Sequence, residues 1–191
     1  VSINTAYKHR VVIGTSAGGV HALKNLITPL PADFTAPIFI VMHLQASPMS
    51  YLPDIMNRYS QLPALHPTDG ETIQSSHIYI APPNLHMIIS NNKIMLLRTK
   101  KINYCRPAID PLFHSAAPFG PATIGVLLSG MLHDGVAGLL AIKNAGGTTI
   151  VQDLDEAEFK DMPENALKQV PIDYCLPTQD IAKTLITLIK K

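Results

Sequence analysis

The chain has 191 residues, 47% of them hydrophobic and 15% charged, a length that suits one sizeable core and a composition that excludes a disordered chain. Its formal net charge of +1, with Lys100-Lys101 and Lys190-Lys191 only as isolated pairs, gives no strong pull toward nucleic acid or an anionic membrane. No apolar run approaches the ~20 residues of a membrane span, and the first residues lack the apolar centre of a signal peptide, so a cytoplasmic setting is expected.

Residues 10–13 are predicted as the first strand, ending in the turn Gly14-Thr15-Ser16-Ala17-Gly18-Gly19. A helix is expected over about 20–28, with Ala22, Leu23, Leu26 and Ile27 on one face and Pro29 stopping it. The second strand, 38–42, is apolar throughout, as a strand covered on both faces should be, and it ends at His43. Ser47-Pro48 reads as a cap and first-turn proline opening a helix to about residue 59. From 62 to 98 the short runs 78–80, 87–89 and 94–97, broken by Pro82-Pro83-Asn84 and a hairpin candidate at Asn91-Asn92, predict a small antiparallel section. A helix over about 110–117 follows.

The third long strand, 123–128, runs into Ser129-Gly130-Met131-Leu132-His133-Asp134-Gly135. A helix over about 135–144 is expected to end at a left-handed cap in Gly146-Gly147, and 148–151 is another strand. From Thr178 a threonine cap and the stripe Ile181, Ala182, Leu185, Ile186, Leu188 and Ile189 predict a helix packing on the sheet. Strands alternating with amphipathic stretches give an α/β fold: three layers, doubly wound, a mostly parallel Rossmann-like sheet with the small antiparallel section. One domain over 1–191 is expected. Cys105 and Cys175 lie far apart, which suits neither a disulfide framework nor a zinc site, and the eight histidines show no ligand spacing; no metal or cofactor is expected.

In such sheets ligands collect beyond the carboxyl ends of the strands, where three loops here carry polar chemistry. The first loop is not a dinucleotide loop, because Ser16 occupies the position where a second glycine must let a pyrophosphate approach. Gly-x-Ser-x-Gly instead suits a nucleophile elbow, and the other reading of the same letters is an ordinary glycine-rich turn with Ser16 as a helix cap. His43 ends a strand expected beside the first, hence near Ser16. Asp134 stands either as a helix cap or as the acceptor of a hydrogen bond from His43 Nδ1, with glycines at 130, 135 and 138 letting backbone N–H groups point inward. Serine needs a base, and the base needs an orienting carboxylate. The order Ser, His, Asp is not that of the α/β-hydrolases.

At these residues the chain resembles the catalytic domain of the CheB chemotaxis receptor methylesterases. The likeness spans nearly all of 11–189 in five ordered blocks: Ile13-Gly14-Thr15-Ser16-Ala17-Gly18-Gly19, Val41-Met42-His43-Leu44, residues 78–87, Arg106-Pro107-Ala108-Ile109-Asp110-Pro111-Leu112-Phe113, and residues 128–138. It implies a serine hydrolase of glutamate γ-methyl esters on helical chemoreceptors, with receptor glutamine deamidation as a second activity. Ser16, His43 and Asp134 match the family triad, and the Met131 N–H matches an oxyanion donor; Ala17 stands where some members have threonine, and its N–H remains as a second donor. Arg106 matches a position that either contacts an acidic receptor or pins its loop; His86 is read as structural. Family members usually carry a receiver domain, which this chain lacks, so a separate or fused receiver is the implied regulator. Leu132-His133 is bulkier than the Gly-Asn of some relatives. A binding module that keeps the scaffold without the chemistry is the alternative reading.

Overall fold

The computed structural model describes residues 7–43 and 50–190. In chain order its elements are β1 (Arg10–Thr15), α1 (Gly19–Ile27), β2 (Ile38–Met42), α2 (Leu52–Asn57), β3 (Ala64–Leu65), β4 (Glu71–Thr72), β5 (Ile78–Ile80), β6 (His86–Ser90), β7 (Lys93–Leu97), α3 (Ile109–Ala116), β8 (Thr123–Leu127), α4 (Val136–Asn144), β9 (Thr148–Gln152), α5 (Asp161–Gln169), β10 (Tyr174–Leu176) and α6 (Thr178–Ile189). Seven strands form one sheet in the order β10-β9-β8-β1-β2-β5-β3. Every pairing in it is parallel. The expected antiparallel section exists as a separate three-stranded sheet, β4-β7-β6.

Parallel strands covered on both faces must be apolar on both, and β1, β2 and β8 are buried along their whole length. Alternate residues of β1 serve two cores. Val11 and Ile13 pack with Leu23, Leu26, Ile181 and Leu185 on one face. Val12 packs with Ile109, Phe113, Leu139 and Met87 on the other, where the small sheet also lies. The result is the three-layer, doubly wound arrangement that the alternating pattern predicts. From β1 the chain winds outward through β2, and it later returns to the opposite side of β1 as β8, so the order reverses between them. That reversal opens a crevice at the strand ends.

Several expectations change in detail. Residues 78–80 join the parallel sheet, because a run buried on both faces pairs more favourably beside β2 than in an edge hairpin. The Asn91-Asn92 turn is a hairpin turn with φ of 47° and 61°, and Gly146 takes the left-handed cap at φ 86°. The cap at Ser47-Pro48 lies outside the described residues; the helix that follows runs over Leu52–Asn57. α6 begins at Thr178, but Pro177 is its cap residue, and the Thr178 hydroxyl donates to Glu156 instead (2.9 Å). Two elements escape the pattern, α5 and β10. No side chain caps α5, and β10 is a three-residue edge strand, half exposed.

Two glycines set how closely the layers approach at the crevice. A Cβ on Gly14 would collide with Ile109 Cγ2, and one on Gly135 would lie 2.7 Å from the same atom. Ile109, the first residue of α3, is therefore wedged between the end of β1 and the loop after β8. Gly14→Ala should push α3 off the sheet and cost about 1–3 kcal/mol, as overpacking does. Urea unfolding of the variant beside the wild type measures it.

Candidate active site

Each candidate side chain follows from where its strand stops. In the β1–β2 ladder Thr15 pairs with Met42, so Ser16 and His43 are the next residues along adjacent strands. The ladder continues through the His43 N–H to the Thr15 carbonyl (3.1 Å), while the Ser16 N–H donates to the Ser129 carbonyl beyond β8 (3.0 Å). The Gly19 N–H then bonds the Ser16 carbonyl, with Gly18 at φ 74°, ψ −4°, the geometry of a type II turn whose third residue must be left-handed. Ser16 thus stands at the head of a tight turn between strand and helix. It is no cap for α1, whose cap residue is Gly18 without a side-chain bond.

The three predicted residues meet. Ser16 Oγ lies 3.1 Å from His43 Nδ1, and His43 Nε2 lies 2.7 Å from Asp134 Oδ2. The ring is used opposite to expectation, since Nδ1 was to face the carboxylate. Strand order supplies the reason. β1 lies between β2 and β8, so the near nitrogen of His43 meets the adjacent strand end and the far nitrogen reaches across it. Asp134, being ionised, only accepts; the Nε2 proton therefore points at it and Nδ1 is left to accept the Ser16 hydroxyl.

Asp134 is no helix cap either. Gly135 caps α4, and the Asp134 carboxylate, 2% exposed, instead turns toward the first turn of α3. It accepts from the Ile109 N–H (2.7 Å), the Asp110 N–H (3.3 Å) and Asn103 Nδ2 (2.8 Å) besides His43. Burial pushes its pKa up, but the bonds from His43, Ile109 and Asn103 outweigh that and hold it below the ordinary carboxylate value. Neighbouring Asp110 goes the other way: burial raises it, and the charge of Asp134 adds to the rise against the Gly138 N–H and Asn103.

The amides of Ala17 and Met131 donate no hydrogen bond to any described residue, so they are available to a ligand. Not every N–H of the second loop points inward as expected: Gly130 donates to the Phe159 carbonyl and Gly138 to Asp110 Oδ1. Gly130 backs directly on the serine, for a Cβ there would come within 2.9 Å of Ser16 Cβ and strike Met162. Beside Ser16 lies a cleft of about 500 Å³ with Gly18, Lys24, Met42, Tyr59 and Glu158 on its walls. Among the described residues no group of side chains could hold a metal ion.

Arg106 does not face this cleft with a free guanidinium. Its Nε and Nη2 donate to Asn84 Oδ1 and its Nη1 to the Thr99 carbonyl, which makes it a loop tie. His86 is buried, accepting from the Ala108 N–H and bonding the Lys100 carbonyl, as a structural histidine should. Two participants are absent from the sequence reading. Asn103 bridges Asp110 and Asp134. Ser129 donates its hydroxyl to the Ala17 carbonyl (2.8 Å) and receives the Phe159 N–H (3.0 Å), clamping the serine turn to the 157–161 segment. An asparagine within an otherwise apolar and basic loop was the available signal for the first; nothing in the letters distinguishes the second.

Two results follow for measurement. Gly130→Ala should displace Ser16 and lower the rate of fluorophosphonate labelling of Ser16 by about 10²-fold, the loss that a displacement of roughly 1 Å brings. Asp134 contributes stability that is present above its unfolded pKa of about 3.9 and is lost as pH falls through its lower folded value. Asp134→Asn should therefore lose less stability than the wild type as pH falls below about 4, which pH-dependent thermal melts resolve.

The chain matches the family model described as CheB methylesterase over residues 11–185. A Leptospira interrogans protein, provisionally named protein-glutamate methylesterase/protein-glutamine glutaminase, is 37% identical over 180 residues, 93% of each chain. The Clostridium acetobutylicum protein of that name is 35% identical over 94% of this chain, which spans 53% of that protein's length. The crystal structure of the Thermotoga maritima CheB methylesterase catalytic domain superposes with a TM-score of 0.91 at 34% identity, over 96% of this chain and 100% of that one.

Proposed function

Because the chain belongs to the CheB methylesterase family, we propose that it removes glutamate γ-methyl esters from chemoreceptor proteins by acyl transfer through Ser16. The observation that carries the assignment is the continuous chain of hydrogen bonds from Ser16 Oγ through His43 to Asp134 at the reversal point of the sheet.

In this mechanism Ser16 Oγ attacks the ester carbonyl carbon and gives its proton to His43 Nδ1. The imidazolium that forms is held through Nε2 by Asp134, whose lowered pKa keeps it ionised. The carbonyl π electrons pass to its oxygen, which accepts from the Ala17 and Met131 N–H groups. On collapse the bond to the methoxy group breaks, and His43 Nδ1 returns its proton to release methanol. Water then gives a proton to Nδ1 and adds to the acyl carbon; on collapse the bond to Ser16 Oγ breaks, Nδ1 returns that proton to Oγ, and the γ-carboxylic acid released ionises to the glutamate carboxylate. Replacing the ester by a glutamine amide changes only the leaving group, to ammonia, so the glutaminase activity in the relatives' names needs no further residue. The reaction as written needs no metal or cofactor. No described helix is long and apolar enough to cross a membrane. A cytoplasmic setting, with a fused or separate receiver domain as regulator, completes the proposal.

Wild-type protein incubated with a methylated receptor fragment should release methanol. Ser16→Ala should lose about 10⁶-fold in turnover and Asp134→Asn about 10⁴-fold, the losses seen when such residues act as one unit. A Ser16→Ala rate within tenfold of wild type would remove Ser16 as the nucleophile. Failure of a fluorophosphonate probe to label Ser16 would point to a binding module instead.

A further inference from the structure

Residues 98–106 carry features that the hydrolytic chemistry does not use. Ile102 and Cys105 form an isolated antiparallel bridge, each donating its N–H to the other's carbonyl (3.1 and 2.9 Å). Asn103 and Tyr104 between them both have positive φ, 49° and 64°. That is a two-residue hairpin turn of type I′, for which Asn-Gly is the preferred pair. Asn103 fits its place. Tyr104 occupies the glycine place with a strained backbone, and its side chain is 89% exposed.

A turn selected for stability alone would not put an aromatic ring in water at the position that most favours glycine. The same combination recurs at Leu132, two residues before Asp134, with φ 68° and 57% exposure. Arg98, Lys100, Lys101 and Ile102 are also exposed, and none of the three cations pairs with a carboxylate among the described residues.

The base of this hairpin is fastened to the site. His86 Nε2 bonds the Lys100 carbonyl, Arg106 bonds the Thr99 carbonyl and Asn84, and Asn103 bonds Asp134 itself. Rigid at its root and exposed at its tip, the segment that ties Asn103 to Asp134 also carries exposed cations and one exposed aromatic ring. A protein modified at glutamates carries free carboxylates among its esters, and each turnover adds one more. The charges are complementary.

We propose that residues 98–106 form a docking lip for the acidic helical surface of the substrate protein, with Tyr104 as its aromatic anchor and Arg98, Lys100 and Lys101 facing the carboxylates that flank the ester. This inference rests on the esterase reading given above. A buried aromatic anchor surrounded by complementary charge is the arrangement that dominates protein docking energetics.

The test measures binding of the methylated cytoplasmic fragment of a receptor to the full chain carrying Ser16→Ala, which holds substrate without consuming it. Adding Tyr104→Gly should raise Kd about tenfold, the loss of one anchor. The same substitution should leave Tm unchanged or raise it, because glycine suits the turn. The pair Lys100→Glu and Lys101→Glu should raise Kd at least tenfold and weaken its dependence on salt. Kd values within twofold for both variants overturn the lip. So does a Tm that falls with Tyr104→Gly in step with binding, since the ring would then be structural. Tighter binding of a single-stranded oligonucleotide through these residues would also overturn it. Methanol release by the wild-type protein reads the esterase assignment separately: its absence defeats that assignment, whereas an unaltered Kd defeats only the lip.

Discussion

The Asp134 carboxylate is the group on which the geometry of the site depends. It is almost wholly buried, and burial alone would drive it toward the neutral acid. Three donors prevent that, His43 Nε2, the Ile109 amide and Asn103 Nδ2, and the Asp110 amide lies alongside at 3.3 Å. The two amides are N–H groups in the first turn of α3, which have no partner within their own helix and lie where the helix dipole favours a negative charge. Because the carboxylate stays ionised, the imidazole must present its Nε2 proton to it. The tautomer then leaves Nδ1 free to accept from Ser16. One helix terminus therefore determines which nitrogen faces Ser16.

That arrangement requires α3 to lie very close to the sheet, and the close approach is a matter of absent side chains. Gly14 and Gly135 make room for Ile109, and Gly130 makes room for Ser16 and Met162. Polar ties reinforce the same contact from behind. Ser129 receives its position from Gln152, which accepts the Ser129 N–H and donates to Glu156; Glu156 in turn accepts from the backbone and hydroxyl of Thr178. The serine turn is thus linked through four side chains to the start of α6, and a change there would reach Ser16 without touching the crevice.

The fold was largely legible because its signals are repetitive. Apolar runs at 38–42 and 123–128 cannot be satisfied on a solvated face, so they announced buried parallel strands. The site was legible where strand ends coincide with unusual residues, as at Ser16 and His43. What could not be read were contacts made across the chain. The His43 nitrogen facing Ser16 depends on β1 lying between β2 and β8, and the letters suggest only that β1 and β2 are neighbours. Asp134 lies just before α4, yet its carboxylate serves α3, a choice that packing alone makes. The buried side of α5 is only Met162, Pro163 and Ala166, and β10 is three residues long, so each left too short an apolar stripe to read.

Asn103 shows how two carboxylates that share one buried corner are kept distinct. Asp110 and Asp134 lie close enough for the charge of one to raise the other, and two ionised carboxylates there would repel in a poorly hydrated place. The side-chain amide of Asn103 donates to both, but the remaining donors are divided unequally. Asp134 takes the imidazole and two helix amides; Asp110 takes only the Gly138 N–H. The consequence is a separation of their pKa values in opposite directions, one carboxylate held charged beside His43 and the other, raised by burial first, biased toward its proton. Asn103 can do this because its left-handed backbone, in the first position of the hairpin turn, aims a short side chain back into the core while the following residue faces water.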